Sequence, residues 1–386
     1  MPSSGFPRGL LGKARTERVA YFRSFTMAHP ILKEVDAALR QAIQERAGAS
    51  LIFVYGPTGV GKTTLRLRIE DHLRTSLLPA LRSDPGRLPV VGIEAAAPDS
   101  SQFSWKDYYR RALVALEEPL IGKKLHYRIQ GLYRDGSGRI TVDSRAVGLE
   151  LRQALENTLI HRRPAAFLID EAQHLSKMRG ARRLQDQLDS IKSLASLTDT
   201  VHVLIGTYEL LPFRNLSAQL SRRSIDIHFR RYRADNRDEY SVFHSVLFTF
   251  QAHLPLPGES DLLKHVDFCY ERCVGCIGVL KDWLTRALSV ALATDSPTLT
   301  RKILERTAWS AEQAERMATD AIEGETSLLP RTDTRNRLRA LLALDTVAEH
   351  QHIPPTQNHH NRKNRVGQRN PARDPIGNST GVMRAI

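Results

Sequence analysis

Cysteine is nearly missing from this 386-residue chain: Cys269, Cys273 and Cys276 are the only three, and they sit close together. A secreted fold stapled by disulfides is thereby excluded, and a reducing, intracellular setting is expected. Long apolar runs are also missing. None approaches the roughly 20 residues that cross a bilayer, so no membrane partner is expected. The first 25 residues are basic and lack an uninterrupted apolar stretch with a small-residue cleavage site, so no signal peptide is read there. Acid is short relative to base: 42 Asp and Glu face 56 Lys and Arg, a formal net charge of +14. That imbalance points to a polyanionic partner, most often nucleic acid. Apolar and charged fractions of 41% and 25% are those of an ordinary globular chain long enough for a packed core.

Short apolar runs at 51–55, 88–95, 165–175, 201–210 and 224–229 are too brief for helices and read as buried strands. Helical periodicity fills the gaps between them. One such segment, 29–48, closes at Gly48 as a C-cap. Alternating strands and helices predict an α/β core with a five-stranded parallel sheet covered on both faces. Beyond about residue 234 only helical patterns continue, predicting a smaller C-terminal helical domain. The expected order is a basic N-terminal arm at 1–28, the core at 29–233, the helical domain at 234–348 and a disordered basic tail at 349–386.

The chemistry starts at Gly56-Pro57-Thr58-Gly59-Val60-Gly61-Lys62-Thr63, followed by Thr64. This matches G-x-x-x-x-G-K-[ST], placed after a strand and before a helix as phosphate binding requires. Glycines let backbone N–H groups turn inward around phosphates, and the helix N-terminus adds partial positive charge. Lys62 is expected at the β- and γ-phosphates and Thr63 on Mg²⁺. "FLIDEAQH" supplies the acids: Asp170 to hold magnesium with Thr63, and Glu171 to orient or deprotonate the attacking water. ATP and Mg²⁺ are the implied cofactors.

The succession of phosphate loop, "IDEAQHL", "VLIGTYEL" and "LSAQLSRRSIDIHF" resembles the AAA+ ATPases. That resemblance implies further roles. Thr207 stands at the sensor 1 position, facing the γ-phosphate or the water. Arg222 and Arg223 stand where an arginine finger reaches a neighbouring copy's nucleotide, which would make hydrolysis depend on assembly. Lys281 stands near the sensor 2 position, although lysine lacks the bidentate fork of arginine. Within AAA+ proteins, "IFVYGPTGVGKTTL", "LIDEAQHL", "SWKDYYRRALVALEEPL" and the Gly-Cys-Ile-Gly-Val-Leu run resemble the TniB/TnsC transposition regulators over roughly residues 30–290. The likeness implies a slow, assembly-dependent ATPase, cytoplasmic and nucleoid-associated, that forms a ring or filament on double-stranded DNA. It also implies a transposase and a target-selection protein as partners. A helicase-loader or initiator ATPase shares the same nucleotide motifs, and a scaffold that binds ATP without hydrolysing it is a third reading.

Lys62 and Asp170 are far enough apart for a basic insertion at about 118–147. It carries Lys123, Lys124, Arg128, Arg134, Arg139 and Arg145, interleaved with Tyr127 and Tyr133, and "YRDGSGRITV" has the spacing of a hairpin. Sequence-independent phosphate contacts are expected there. His265, Cys269, Cys273 and Cys276 would span about 16 Å on a single helix, too far for one zinc ion, so buried structural cysteines are expected unless Gly275 or Gly278 breaks the helix. Replacing Lys123 and Lys124 with glutamate should weaken ATP-dependent DNA binding and flatten its salt dependence. Filter binding across a salt series checks this, and unchanged binding would count against the insertion as a DNA contact.

Overall fold

The computed structural model describes residues 5–97, 103–116, 132–134, 140–142, 148–176, 181–214, 223–329, 332–342 and 344. Five strands form one parallel sheet: β1 (Leu51–Tyr55), β2 (Val90–Glu94), β5 (Ala166–Asp170), β6 (Val201–Gly206) and β7 (Ser224–His228). Their spatial order is β2-β5-β6-β1-β7. The pairing runs Tyr55 against Gly206 and His228, and Glu94 against Asp170, so the strands end along a common edge. The remaining two strands, β3 (Leu132–Arg134) and β4 (Ile140–Val142), pair antiparallel as a separate hairpin within the expected insertion.

Alternation along the strands sends side chains to two cores. Ile52, Val54, Leu168, Val203 and Ile205 face the helices α2 (Pro30–Gln44) and α3 (Lys62–Ser76), meeting Val35, Leu39, Ile43, Leu65 and Ile69. Phe53, Ile93, Phe167, Ile169 and Leu204 face the opposite layer. That layer comprises α5 (Trp105–Ala115), α6 (Gly148–Arg162) and α7 (Ala181–Thr198), with Leu113, Leu155 and Ile191 inside; a short helix, α4 (Leu78–Ser83), follows α3. Every residue of β1, β5 and β6 is buried, as covering on both faces demands.

Past β7 the chain is helical: a short α8 (Leu211–Arg214) precedes that strand, and α9 (Arg237–Ala252), α10 (Val266–Cys273), α11 (Ile277–Ala293), α12 (Arg301–Thr307) and α13 (Ala311–Leu328) follow it. α11 is the buried axis of this part. Its Trp283 is fully buried and donates its indole N–H toward Leu304 O and Thr307 Oγ1, at 3.2 and 3.1 Å. Residues 1–328 form one unit. The second unit contributes α14 (Thr332–Leu341), on which Leu338 and Leu341 are exposed. The tail expected at 349–386 lies outside the described residues.

Four boundaries differ from the sequence expectation. The helix starting near residue 29 stops at Gln44 rather than Gly48. Ala47 and Gly48 both take positive φ, turning the chain so that Ser50 N–H donates to Arg223 O before β1. The strand read to 175 ends at Asp170, because Glu171 enters the left-handed region (φ 51°) and residues 172–176 wind into a 3₁₀ turn. The strand read to 210 ends at Gly206 for the same kind of reason, a 3₁₀ turn over Tyr208–Leu210. The cysteine segment is two helices: α10 ends where Val274 (φ 56°) and Gly275 (φ 74°) reverse the chain. All three cysteines are buried, and burial pushes the Cys269 and Cys276 thiols up to about 12. They behave as small apolar fillers of the core.

The basic N-terminal segment is docked. After a 3₁₀ turn at Arg8–Gly12, α1 (Arg15–Ser24) lies on α11. Its Phe22 is 0% exposed, set edge-on to Phe250 at 6.1 Å, and Phe25 stacks on His253 at 3.8 Å between centroids. The positive charges lie on the outer side, and Arg18 reaches the Pro255 carbonyl at 2.8 Å. Phe22→Ala should therefore destabilise the protein by about 3–5 kcal/mol, the usual cost of emptying a buried aromatic site. Denaturant unfolding measures this; a segment that did not pack would show no change.

Candidate nucleotide and magnesium site

The phosphate loop leaves β1 at the sheet edge and enters α3 with Gly59 at φ 77° and Gly61 at φ 111°, conformations that cost glycine little. The loop is pressed against its surroundings: a Cβ at Gly56 would come within 2.0 Å of Phe229 O. Lys62 opens α3, is only 7% exposed, and donates to the loop's own carbonyls at Gly56 (3.1 Å) and Pro57 (2.9 Å). Burial pushes the Lys62 ammonium below the ordinary lysine range, while Glu171, Cys276 and Asp170 pull it back up. A buried ammonium held by carbonyls and facing carboxylates is suited to receive phosphate oxygens.

One position further, Thr63 Oγ1 donates to Asp170 Oδ2 at 2.9 Å. Asp170, 3% exposed, accepts the Glu171 N–H on its other oxygen at 3.0 Å. A hydroxyl and a carboxylate in contact form a hard oxygen donor set of the kind magnesium prefers. Two further groups converge on the same edge. Glu171 Oε2 accepts from Gln173 Nε2 at 2.5 Å, and the Thr207 N–H donates to Gln173 Oε1 at 3.2 Å. Thr207 Oγ1 is buried with no hydrogen-bond partner among the described residues. An orphaned buried hydroxyl at the end of β6, next to the strand end that carries Asp170 and Glu171, fits a magnesium-bound triphosphate, whose oxygens would satisfy it.

Arg66 and Gln173 were missed by sequence reasoning. Arg66, one turn after Thr63 on α3, lies with its Nε 3.4 Å from Asp170 Oδ2 and pairs with Glu70 at 2.6 Å. It supplies positive charge to Asp170 at the same oxygen that Thr63 meets, and its i+3 spacing from Thr63 was the available signal. Gln173 had only its adjacency to the acids.

Lys281 is not brought to the phosphates. Its ammonium is bonded to the carbonyls of Arg23 (2.8 Å) and Phe25, on the docked N-terminal segment. What α11 brings to the loop is backbone: the Val279 N–H donates to Gly59 O at 3.1 Å, and a Cβ on Gly278 would sit 2.4 Å from that same oxygen. Lys281 is two positions past Val279, about 200° around a helix of 3.6 residues per turn, and so points elsewhere. Arg223 is exposed at the start of β7. Arg222 lies outside the described residues, as do Lys123, Lys124, Arg128, Arg139 and Arg145. Arg134 falls at the end of β3, opposite Ile140. Among the described residues, no group of three or more His, Cys, Asp or Glu is placed to hold a metal ion, and Thr63 with Asp170 is a different, two-residue donor set. No helix of the described residues is long and apolar enough to cross a membrane.

Residues 45–213, which span the sheet from before β1 through β6, match the family model described as AAA domain. The sheet order and the helices that follow it are those of the AAA+ fold. No curated protein matches the chain. Among solved structures it is similar to the Aeropyrum pernix ORC1 protein in complex with DNA, with 18% identity, 72% of this chain covered and a TM-score of 0.48. It spans 63% of that protein's length. The Aeropyrum pernix ORC2 protein is similar at 16% identity, with 76% and 71% of the two chains covered and a TM-score of 0.46. Domain III of the Thermotoga maritima replication initiation protein DnaA follows at 15%, 78% and 96%, with a TM-score of 0.37. These likenesses concern the shape of the fold and carry nothing further.

Lys62→Ala should weaken ATP binding by at least about tenfold, since a hydrogen bond to a charged group contributes about 1.5–3 kcal/mol and each 1.4 kcal/mol is tenfold. Thermal unfolding should change little, because among the described residues the hydrogen bonds of Lys62 go to its own loop. Titration with a fluorescent ATP analogue, beside a melting curve, checks both.

Proposed function

We propose that this chain is a magnesium-dependent ATPase that assembles copy against copy on duplex DNA, with ATP held at the seam between copies. The observation that carries the hydrolysis reading is the convergence of Thr63 with Asp170, of Glu171, and of the unpartnered Thr207 hydroxyl on one sheet edge beside Lys62. Thr63 and Asp170 would hold the ion, which neutralises phosphate charge when bound; Lys62 would grip the β- and γ-phosphates. Glu171 would take the proton from water, and Thr207 would orient the γ-phosphate or that water. A pure scaffold has no use for a water-activating acid. Assembly is supported by Arg223, exposed just before β7, from which a guanidinium would reach an adjoining copy, and by the presence of Arg222 beside it in the sequence. DNA is supported by the net charge of +14 and the basic insertion.

The finer reading is a regulator of DNA transposition that recruits or activates a transposase, with a target-selection protein as a further partner, and is dismantled by hydrolysis. It rests on the motif resemblance alone. A helicase-loader or initiator ATPase would share the same nucleotide site.

The test is direct. With ATP, magnesium and duplex DNA, the chain should form DNA-bound assemblies visible by electron microscopy, and Glu171→Gln should retain them while slowing single-turnover hydrolysis by about 10²–10⁴-fold. A continuous helical assembly supports the transposition reading, and a small ring engaged with a helicase supports the initiator reading. A chain that stays monomeric with all three in excess overturns the assembly reading; equal hydrolysis rates for wild type and Glu171→Gln overturn the role of that acid.

A further inference from the structure

Gln173 joins two groups to which the proposed hydrolysis gives roles, and among the described residues its amide bonds neither the phosphate loop nor Thr63. The residue is 5% exposed, in the 3₁₀ turn after β5. A primary amide has a donor end and an acceptor end. Here both are engaged: Nε2 donates to Glu171 Oε2 at 2.5 Å, and Oε1 accepts the Thr207 backbone N–H at 3.2 Å. Reversing the amide would set its oxygen against a carboxylate and its NH₂ against an N–H, so this orientation alone satisfies both ends.

Two neighbouring features show how closely the amide is fitted. Gly206 leaves room for it, since a Cβ there would come within 2.4 Å of Gln173 Oε1 and 3.2 Å of the Gln173 nitrogen. Glu171 sits at φ 51°, a conformation unfavourable for a residue with a side chain. Its N–H is tied to Asp170 Oδ1. The direction of the Glu171 carboxylate is therefore set by a strained backbone at one end and by the Gln173 amide at the other. Among the described residues, Gln173 is the side chain that bonds that carboxylate.

We propose that Gln173 is a positioning residue for hydrolysis: its amide locks the Glu171 carboxylate at the end of β5 to the Thr207 backbone at the end of β6. The base and the γ-phosphate-facing hydroxyl then keep one fixed relation. The lock occupies Oε2 and leaves Oε1 to receive the proton of water. This role rests on the ATPase reading above. It also assigns a purpose to the positive φ of Glu171, since the turn it starts brings Gln173 back over its own strand end.

The full chain with ATP, magnesium and duplex DNA provides the test. Gln173→Ala and the similarly sized Gln173→Met should each lower kcat by roughly ten- to hundredfold, the range seen when a reacting group is misplaced by about 1 Å. Affinity for a fluorescent ATP analogue should stay within about twofold, so the loss appears in kcat and not in binding. A double-mutant cycle supplies the readout that a merely structural role would not move: Glu171→Gln with Gln173→Ala should hydrolyse no more slowly than Glu171→Gln alone. Should Gln173→Ala melt at assay temperature, Gln173→Met, which keeps the buried volume, decides. Hydrolysis within about twofold of wild type in a folded variant overturns the proposal, and so does a loss of equal size in both backgrounds. A wild-type chain that releases no phosphate overturns the ATPase reading itself, an outcome distinct from a hydrolysing wild type indifferent to Gln173.

Discussion

The site depends on the hydrogen bond between Thr63 and Asp170, because it is where two otherwise separate pieces of covalent structure are held at one point. Thr63 is the second residue of α3 and moves with the phosphate loop. Asp170 ends β5, which is separated from β1 by β6. The chain runs from β1 to the far side of the sheet, returns through β5 and β6, and then crosses to place β7 on the other flank of β1. That reversal leaves a crevice at the strand ends, the place where open parallel sheets bind ligands. The first turn of α3 bridges it through the Thr63–Asp170 bond. Arg66 adds a second link from the same helix: it lies against Asp170 while paired with Glu70, which is also bonded by Arg74. A charged ladder along one side of α3 thus ends on the buried carboxylate that Thr63 also meets.

The helical part meets this crevice through backbone, and its Lys281 is engaged elsewhere. α11 approaches so closely that Gly278 has no room for a methyl group beside Gly59 O, and Val279 donates its N–H to that oxygen. A hydrogen bond between two backbones is directional, so it fixes the loop against the start of α11. The other end of the contact is also fixed. Lys281 clamps the carbonyls of Arg23 and Phe25, and α1 covers α11. A lysine expected near the nucleotide instead fastens the N-terminal segment to the helix that touches the phosphate loop.

The five strands and the phosphate loop were legible because each is a local pattern: a short apolar run, a glycine spacing, an acid pair at a strand end. Where reading failed, the deciding contact was distant in sequence. Phe22 and Phe25 are three positions apart on a segment dominated by arginine, and only the presence of Phe250 and His253 some 230 residues later makes them an anchor. Lys281 was placed by its position in the chain, which does not tell which side of a helix faces the loop. The strand ends were overrun because Leu175 and Leu210 continue the apolar character. In both cases the backbone leaves the extended region first, and the leucine is buried under a 3₁₀ turn instead. Gln173 had no local signature, since its acceptor end pairs with Thr207, 34 positions away.

These two kinds of residue divide the labour of the site. Those that would touch phosphate or metal are drawn from contiguous motifs, because a triphosphate is small and its oxygens demand donors at fixed spacing along one stretch of backbone. Those that hold the first group in place come from wherever the fold passes nearby: Arg66 from α3, Gln173 from the turn after β5, Val279 from α11. A substitution among the first group removes a donor and should appear as lost affinity. A substitution among the second leaves every donor present and changes only their mutual placement, which matters most where charge is moving in the transition state. The bond from Gln173 to Glu171 is the sharpest case. It spans two strand ends through a single buried amide, and both ends of that amide are already committed.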